Sequence, residues 1–211
     1  MYLIDADETD HSKVNMTESN GSEARARLIE AMNAVVAEKG YTTTTIADVV
    51  AKAKVSRRTF YEHFDDKEEC LLACHTMLGD VMLRAVTTAD FDRSSTQALI
   101  SGATRALMAA LTAKPDLTYT HFVAMYAAGP RARQARRDVQ ARLAAAVQRA
   151  AKQAQVGDDR VHVPSDPMAA ALVGGIGELI VASVERNRVD KLDDLIPTVV
   201  DFVSAVLIRG S

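Results

Sequence analysis

Residues 53–64 read AKVSRRTFYEHF, and this stretch decides the fold of the region around it. Ser56 is a residue type that caps helix N-termini, and Phe60 is the apolar residue that a short helix over residues 56–63 would bury. Six polar side chains of the stretch can bond phosphates or base edges: Ser56, Arg57, Arg58, Thr59, Tyr61 and His63. Taken alone, an Arg-Arg pair is more often a solvated face, so the pattern around it has to decide.

The residues before this stretch complete a helix-turn-helix, a pair of short helices whose second member enters the major groove of DNA. Apolar residues at helical spacing predict the first helix of the pair over 45–53, and a longer helix over 23–39 that ends at Gly40. A short turn that includes Lys54 joins the pair. The apolar side chains that would pack the three helices together are Leu28, Met32, Val35, Ile46, Val49, Val50, Val55 and Phe60.

The composition of the 211 residues favours an all-α protein, because helix-forming Ala, Leu and Arg are abundant and only five prolines interrupt the chain. Apolar periodicity predicts about nine helices and no strand. We expect an acidic, poorly ordered tail over 1–22, a helix-turn-helix domain over 23–70 with the motif itself at about 45–64, and a second helical domain over 71–211.

Charge and targeting patterns narrow the classes of function only slightly. The net charge of −3 gives no overall signature of nucleic-acid binding, so DNA affinity must come from the placement of cations and from doubling in a dimer. No signal peptide and no apolar run near the ~20 residues of a membrane span is evident, which predicts a cytoplasmic protein. Cys70 and Cys74 lack a third ligand at suitable spacing, so we predict no metal and no cofactor, with a redox or metal sensor as a minor alternative.

Residues 40–72, GYTTTTIADVVAKAKVSRRTFYEHFDDKEECLL, resemble the signature of the TetR family of transcriptional regulators. The shared pattern is Gly, an aromatic residue and paired threonines, then Ile-Ala, Ala-x-Val-Ser, Thr-Phe-Tyr-x-His-Phe and Lys-Glu, in register and without a gap. The resemblance implies an N-terminal three-helix DNA-binding domain and a C-terminal helical domain for ligand binding and dimerisation.

The resemblance also implies which residues meet DNA, some reading bases and others holding phosphates. These candidates are Arg25, Arg27, Thr44, Thr45, Ser56, Arg57, Arg58, Thr59, Tyr61, His63 and Lys67. Lys54 and Arg58 depart from the family pattern, which often has Gly at both positions. If the turn needs a left-handed residue, Lys54 costs ~1–2 kcal/mol there.

A ligand cavity among the middle helices is a further implication of the resemblance. The candidate lining residues are His75, Met82, Met108, Tyr119, Phe122, Met125 and Tyr126, and each could instead be ordinary core. His121 would either orient a polar group of the ligand or face solvent. The basic run over 131–142 is expected to coat the exposed side of a helix.

The last two helices are candidates for a dimer interface, because the segment 168–184 is nearly uncharged and rich in small residues. The residues predicted to meet a second copy are Leu172, Ile176, Leu179, Ile180, Leu195, Val199, Phe202 and Val206. The alternative is a core helix within one subunit.

These patterns predict a sequence-specific transcriptional regulator that binds a palindromic double-stranded DNA operator as a homodimer. The resemblance implies a repressor that a small-molecule effector releases from that operator. A helical protein–protein adaptor with a degenerate DNA module is the alternative. We expect no enzyme, because the sequence contains no HExxH, GxSxG, P-loop or Gly-rich dinucleotide turn.

Overall fold

The computed structural model describes the backbone of residues 8–88 and 94–208, and side chains from residue 21 onward within those ranges. The described parts contain nine α-helices and no strand beyond an isolated bridge between Val161 and Ile208, so the predicted all-α class is confirmed. The helices are α1 (Glu8–Lys39), α2 (Ile46–Ala53), α3 (Arg57–His63), α4 (Lys67–Thr87), α5 (Thr96–Thr112), α6 (Pro115–Phe122), α7 (Pro130–Ala154), α8 (Asp166–Glu185) and α9 (Ile196–Leu207). Two 3₁₀ turns, Ala124–Ala127 and Val189–Leu195, precede α7 and α9.

The first helix begins earlier than its apolar periodicity predicts. Its start is Glu8 instead of residue 23, so the backbone over 8–22 is helical where we expected a poorly ordered tail. No proline interrupts this segment. Residues 1–7 of the predicted tail lie outside the described residues.

Side-chain caps set the boundaries of the helix-turn-helix. The Thr45 hydroxyl accepts from the Asp48 backbone N–H, and the Asp48 carboxylate accepts from the Thr45 N–H at 2.8 Å, which forms a capping box at α2. A salt bridge of 2.6 Å between Lys39 and Asp48 ties this cap to α1 and holds the pKa of the carboxyl well below its usual range. Ser56 caps α3 by accepting from the Thr59 N–H at 2.9 Å.

The main hydrophobic core joins the helix-turn-helix to the later helices, and a second small cluster contains Ala151, Val161 and Leu207. Fully buried Leu28, Phe60, Leu71 and Met108 belong to one continuous cluster that also includes residues of α7, α8 and α9. α4 crosses the predicted domain boundary after residue 70, with buried side chains on both sides of it. A movement of α4 would therefore displace packed side chains both in the helix-turn-helix region and in the later helices.

Two helices, α4 and α8, are long and apolar enough to cross a membrane by length and composition. Neither helix is an uninterrupted apolar run, because α4 contains Asp80 and Arg84 and α8 contains Glu178. Apolar helices of this kind also occur in protein cores, and α4 buries Leu71, Leu78 and Met82 there. α8 leaves more of its apolar surface exposed, which bears on the oligomeric state below.

Lys54 ends α2 in the left-handed region, so the condition under which its side chain is strained is met. Its φ is 54° and its ψ is 46°, while its backbone N–H donates to carbonyls of the last turn of α2. A side chain with a Cβ loses ~1–2 kcal/mol in this conformation relative to the right-handed one. Glycine does not have this penalty.

Replacing Lys54 with glycine should therefore raise the free energy of unfolding by about 1 kcal/mol, because the turn keeps its shape and loses its strain. Urea unfolding followed by circular dichroism measures the change. Lys52→Gly, in the last turn of α2, is the matched control and should lower stability by about 1 kcal/mol. Equal losses from both substitutions would show that Lys54 is not strained.

Candidate DNA interface and effector cavity

α3 presents the polar side that the sequence predicts. Phe60 is fully buried beneath it, whereas Tyr61 is 49% exposed and both arginines are exposed. Arg58 pairs with Glu62 at 3.1 Å, while the Arg57 guanidinium lies 6.0 Å from the Tyr61 ring centroid. Arg57 has no carboxylate partner in the part of the chain that the structure describes, so it is the arginine available to a base edge.

The remaining α3 candidates differ in how far they face solvent. The Ser56 and Thr59 hydroxyls lie 2.8 Å apart, and Thr59 and His63 are half-buried. Arg25 and Arg27 are exposed on α1, with Arg25 5.2 Å from the Phe64 ring centroid at the end of α3. Exposed Thr45 at the start of α2 adds a hydroxyl to the same polar region. These positions suit phosphate contacts on either side of a groove.

Thr44 and Lys67 instead hold the loop between α1 and α2. The side chain of Thr44 is buried, 2% exposed, and its hydroxyl donates to the Gly40 carbonyl at 2.7 Å. The Lys67 ammonium donates to the Tyr41 and Thr44 carbonyls at 3.0 and 2.8 Å, and burial lowers its pKa. We therefore no longer expect the Thr44 side chain to touch DNA, and Lys67 supports the loop before it can reach a phosphate.

A cavity of about 210 Å³ lies among α4 to α9. Four of the predicted ligand residues line it: His75, Met82, Phe122 and Tyr126. Met108, Tyr119 and Met125 do not, because Met108 and Met125 are fully buried in the core and Tyr119 packs against it. For these three the ordinary-core alternative is correct.

Two stacked histidines form the buried polar part of the cavity wall. The His75 and His121 rings lie 3.9 Å apart and 18° from parallel, and both residues are buried. Neither ring nitrogen of His75 has a hydrogen-bond partner among the described residues. His121 Nδ1 lies 3.2 Å from the His75 carbonyl oxygen. His121 thus faces the cavity, not solvent, a role that helical spacing alone did not indicate.

Burial keeps both rings uncharged at neutral pH. Burial lowers the pKa of His75 to about 4, with the Ala135 backbone opposing and Arg136 assisting. The pKa of His121 is lowered well below its ordinary value by burial first, and then by the neighbouring His75 ring. The pair therefore offers neutral imidazole donors and acceptors to the cavity.

The charged residues that line the cavity, Arg136 and Glu178, lie at its exposed end. The Arg136 guanidinium lies 3.5 Å from the Tyr126 ring centroid, and the Tyr126 hydroxyl donates to Glu178 at 3.5 Å. Tyr126 is 52% exposed, so this cluster stands at the entrance. Among the described lining residues Arg136 and Glu178 are the ionised ones, and their charges are opposite.

α7 lines the cavity and also contacts the beginning of α4, the helix that follows α3 in the chain. Arg131 in its first turn donates to Asp66 at 2.8 Å and lies 3.6 Å from Glu68. Asp66 is the N-cap of α4, and its pKa is lowered by the bond from the Glu69 N–H and by Arg131. Further along, the close approach is steric: a Cβ on Gly79 of α4 would lie 2.9 Å from Val139 of α7.

The predicted dimer residues divide into core and surface. Leu172, Ile180 and Val199 are buried within the single chain, a placement that agrees with the core-helix alternative. Phe202 is 36% exposed and packs against Gly175 of α8. The others, Ile176, Leu179, Leu195 and Val206, are half-buried.

The two cysteines are free and fully buried. Cys70 Sγ lies 3.9 Å from the Leu28 carbonyl oxygen, Cys74 Sγ lies 3.6 Å from that of Ile29, and burial raises the pKa of Cys74. An inaccessible thiol that resists ionisation reacts slowly, so their placement does not favour the sensor alternative.

Comparisons with known proteins agree with this architecture. Residues 28–74 match the family model of bacterial regulatory proteins of the tetR family. The chain is 37% identical over 60 residues to the HTH-type transcriptional regulator TtgR of Pseudomonas putida, a match that covers 28% of this chain and 29% of TtgR. The chain thus spans less than a third of the length of the curated relatives it matches.

Solved structures extend the likeness to the whole fold. The transcriptional regulator FadR of Bacillus subtilis in complex with stearoyl-CoA aligns with a TM-score of 0.70 at 15% identity, covering 84% of this chain and 96% of FadR. The regulator TylP of Streptomyces fradiae aligns with a TM-score of 0.68 at 22% identity, covering 89% and 88%. At these identities the likeness shows the fold alone.

The neutral histidines predict a fall in stability in mild acid. The folded pKa of His75, about 4, lies below its ordinary value of 6.5, so the unfolded chain binds the proton more readily. The free energy of unfolding should fall as the pH drops from 6.5 to 4, by on the order of 3 kcal/mol for this group. Urea midpoints across that pH range measure it. A His75→Phe variant should lose less stability over the same interval, and an unchanged slope would contradict the burial of a neutral ring.

Proposed function

We propose that this chain, which belongs to the TetR family of transcriptional regulators, represses transcription by binding a palindromic operator as a homodimer and leaves it when a small molecule fills the cavity. The observation that supports DNA binding is the geometry of α3: Phe60 is buried, and Arg57 and Tyr61 project from the opposite side. A helix exposed in this way can enter a major groove with its side chains directed at base edges.

Base reading and backbone positioning fall to different residues in this proposal. Arg57 is free to form a bidentate contact with guanine, and the Thr59 methyl group can touch thymine. Arg58 must first leave Glu62, so we assign it a smaller part in recognition. Arg25, Arg27 and Thr45 would hold phosphates, with further contacts from Ser56, Tyr61 and His63.

A second copy is proposed to cover the exposed side of α8 and α9. Met168 and Phe202 are exposed apolar residues on these helices, and Gly174 has open space beside it. Small residues allow helices of two copies to approach closely. Two α3 helices in a dimer could then read half-sites one helical turn apart or a multiple of it.

The proposed switch couples the cavity to α4. A ligand that displaces Val139 would push against α4 at Gly79, and only three residues separate the end of α3 from the start of α4. The ligand can release DNA only by its differential affinity for the two arrangements of the dimer. The FadR complex with stearoyl-CoA supports the idea that this fold can accept a ligand that carries a long acyl chain.

DNA recognition can be tested on an operator found by footprinting the DNA that flanks the gene. Arg57→Ala should cost ~1–3 kcal/mol at one base position and relax preference there. Arg25→Ala should weaken binding to all sequences alike and reduce the salt slope by about one. Arg105→Ala, an exposed arginine on α5, is the control and should change neither quantity.

Quantitative footprinting or fluorescence anisotropy at several salt concentrations supplies these values, and the mass of the complex reports whether two chains bind each operator. Identical effects of Arg57→Ala and Arg25→Ala on every sequence would contradict the division of roles. No specific footprint at any salt concentration would instead favour the protein–protein adaptor.

The steric contact between α4 and α7 makes a separate prediction. Gly79→Ala places a methyl group 2.9 Å from Val139, so α4 has to move away and operator affinity without ligand should fall several-fold. Adding Val139→Ala removes both methyl groups that obstruct it and should restore most of the affinity. Anisotropy on the operator measures both variants. An unchanged affinity for Gly79→Ala, or no recovery in the double variant, would show that this contact does not position α3.

A further inference from the structure

We propose that the effector of this chain is an uncharged, elongated and mainly apolar molecule whose hydroxyl group bonds to the stacked pair His75 and His121. This inference rests on the proposed function of the cavity and specifies the ligand that it takes. It follows from the shape of the cavity, the distribution of its charges and the free hydrogen-bonding atoms in its wall.

The shape of the cavity follows the axis of α7. Lining residues occur at every third or fourth position of that helix from Arg136 to Ala154, as Val139, Leu143 and Val147 illustrate. At 1.5 Å per residue this face is about 27 Å long. A wall of that length favours a chain-like ligand over a compact one.

The inner part of the cavity has little to offer a charged or strongly polar ligand. Aliphatic side chains such as Leu99 and Leu143 dominate its lining. Two hydroxyls there are already engaged: Thr104 donates to the Ile100 carbonyl at 2.8 Å, and Thr96 donates to Asp158 at 2.9 Å. An ionised group carried into this region would lose its hydration without a compensating partner.

The histidine pair still has ring nitrogens that can hydrogen-bond to a ligand. A carbonyl oxygen can only accept, so the Nδ1 of His121 that faces the His75 carbonyl carries the proton. In a neutral ring the Nε2 of His121 is then a bare acceptor, and it has no protein partner among the described residues. His75, a residue that is 1% exposed, adds one donor and one acceptor. The Ala135 backbone is near enough to raise its pKa, but no described protein group completes a hydrogen bond with either ring nitrogen.

This set of atoms selects a neutral group that both donates and accepts. A hydroxyl can donate to His121 Nε2 while accepting from the N–H of His75. A carboxylate has no proton to give and would face the lone pair of Nε2. An ammonium could donate, but beside the buried rings it would lose hydration, and the positive charge of Arg136, which already acts on both histidines, would repel it.

Four probes of equal chain length separate these chemistries: decanol, its methyl ether, decanoate and decylammonium. Isothermal titration calorimetry of the full chain without DNA measures binding directly. Decanol should bind about tenfold more tightly than each of the other three, because the ether cannot donate and the ions lose hydration. Equal binding of decanol and the ether, tighter binding of either ion, or no binding of any probe would overturn the proposal.

Two variants of His121 assign the preference to its Nε2. His121→Asn can keep an amide N–H donor for the His75 carbonyl, but its side chain is too short to place an acceptor at the position of Nε2, so decanol should lose its advantage over the ether. His121→Gln carries an amide oxygen near the position of Nε2 and should retain much of that advantage. Thermal unfolding establishes that both variants are folded. If His121→Asn retains the full preference for decanol, the assignment is wrong, and the wild-type probe series still decides the ligand class.

The failure of this inference can be told apart from failure of the proposed function. Calorimetry reports the ligand class whether or not the chain binds an operator. Operator binding that persists while all four probes fail would overturn the ligand class and leave the regulator intact. Decanol binding by a chain without any specific footprint would support the ligand class and contradict the regulator.

Discussion

The burial of Phe60 in the core shared with α1 and α2 holds in place a helix that would not persist alone. α3 has seven residues, whereas isolated helices shorter than ~12–15 residues are marginal in water. Its stability comes from Phe60, from Phe64 with a ring centroid 5.7 Å away, and from the Ser56 cap. Because one side is fixed in this way, the arginines on the other side project from the surface, and the proposed DNA interface depends on that.

The cavity depends on a different constraint, the low polarity around two histidines. Burial removes the charge from both rings, so they act as neutral hydrogen-bonding groups in an apolar wall. The charged residues Arg136 and Glu178 stand at the exposed end, where solvent already hydrates them. The same desolvation therefore sets the protonation of the site and the chemistry of the ligand that it favours.

The sequence predicted the parts of the molecule that local chemistry determines. The offsets among Thr45, Ser56 and Phe60 predicted the helix-turn-helix. The frequent Gly of the family at position 54 raised the left-handed conformation of Lys54 as a condition, and the structure meets it. The residues that line the cavity were harder to predict from the sequence. A methionine at helical spacing faces inward whether or not its neighbours leave a gap. Met82 meets such a gap and Met108 does not, and that difference depends on helix packing across the whole chain.

The connection between the cavity and α3 is more steric than electrostatic. The ion pair of Arg131 with Asp66 is half exposed, and surface pairs of this kind contribute little to stability. The contact of Gly79 with Val139 is different, because the absence of a side chain lets two helices approach until methyl groups meet backbone. Packed interiors cannot absorb such a displacement gradually. In the proposed switch, a ligand that moves Val139 would therefore push α4, and with it the helix that we propose reads the DNA.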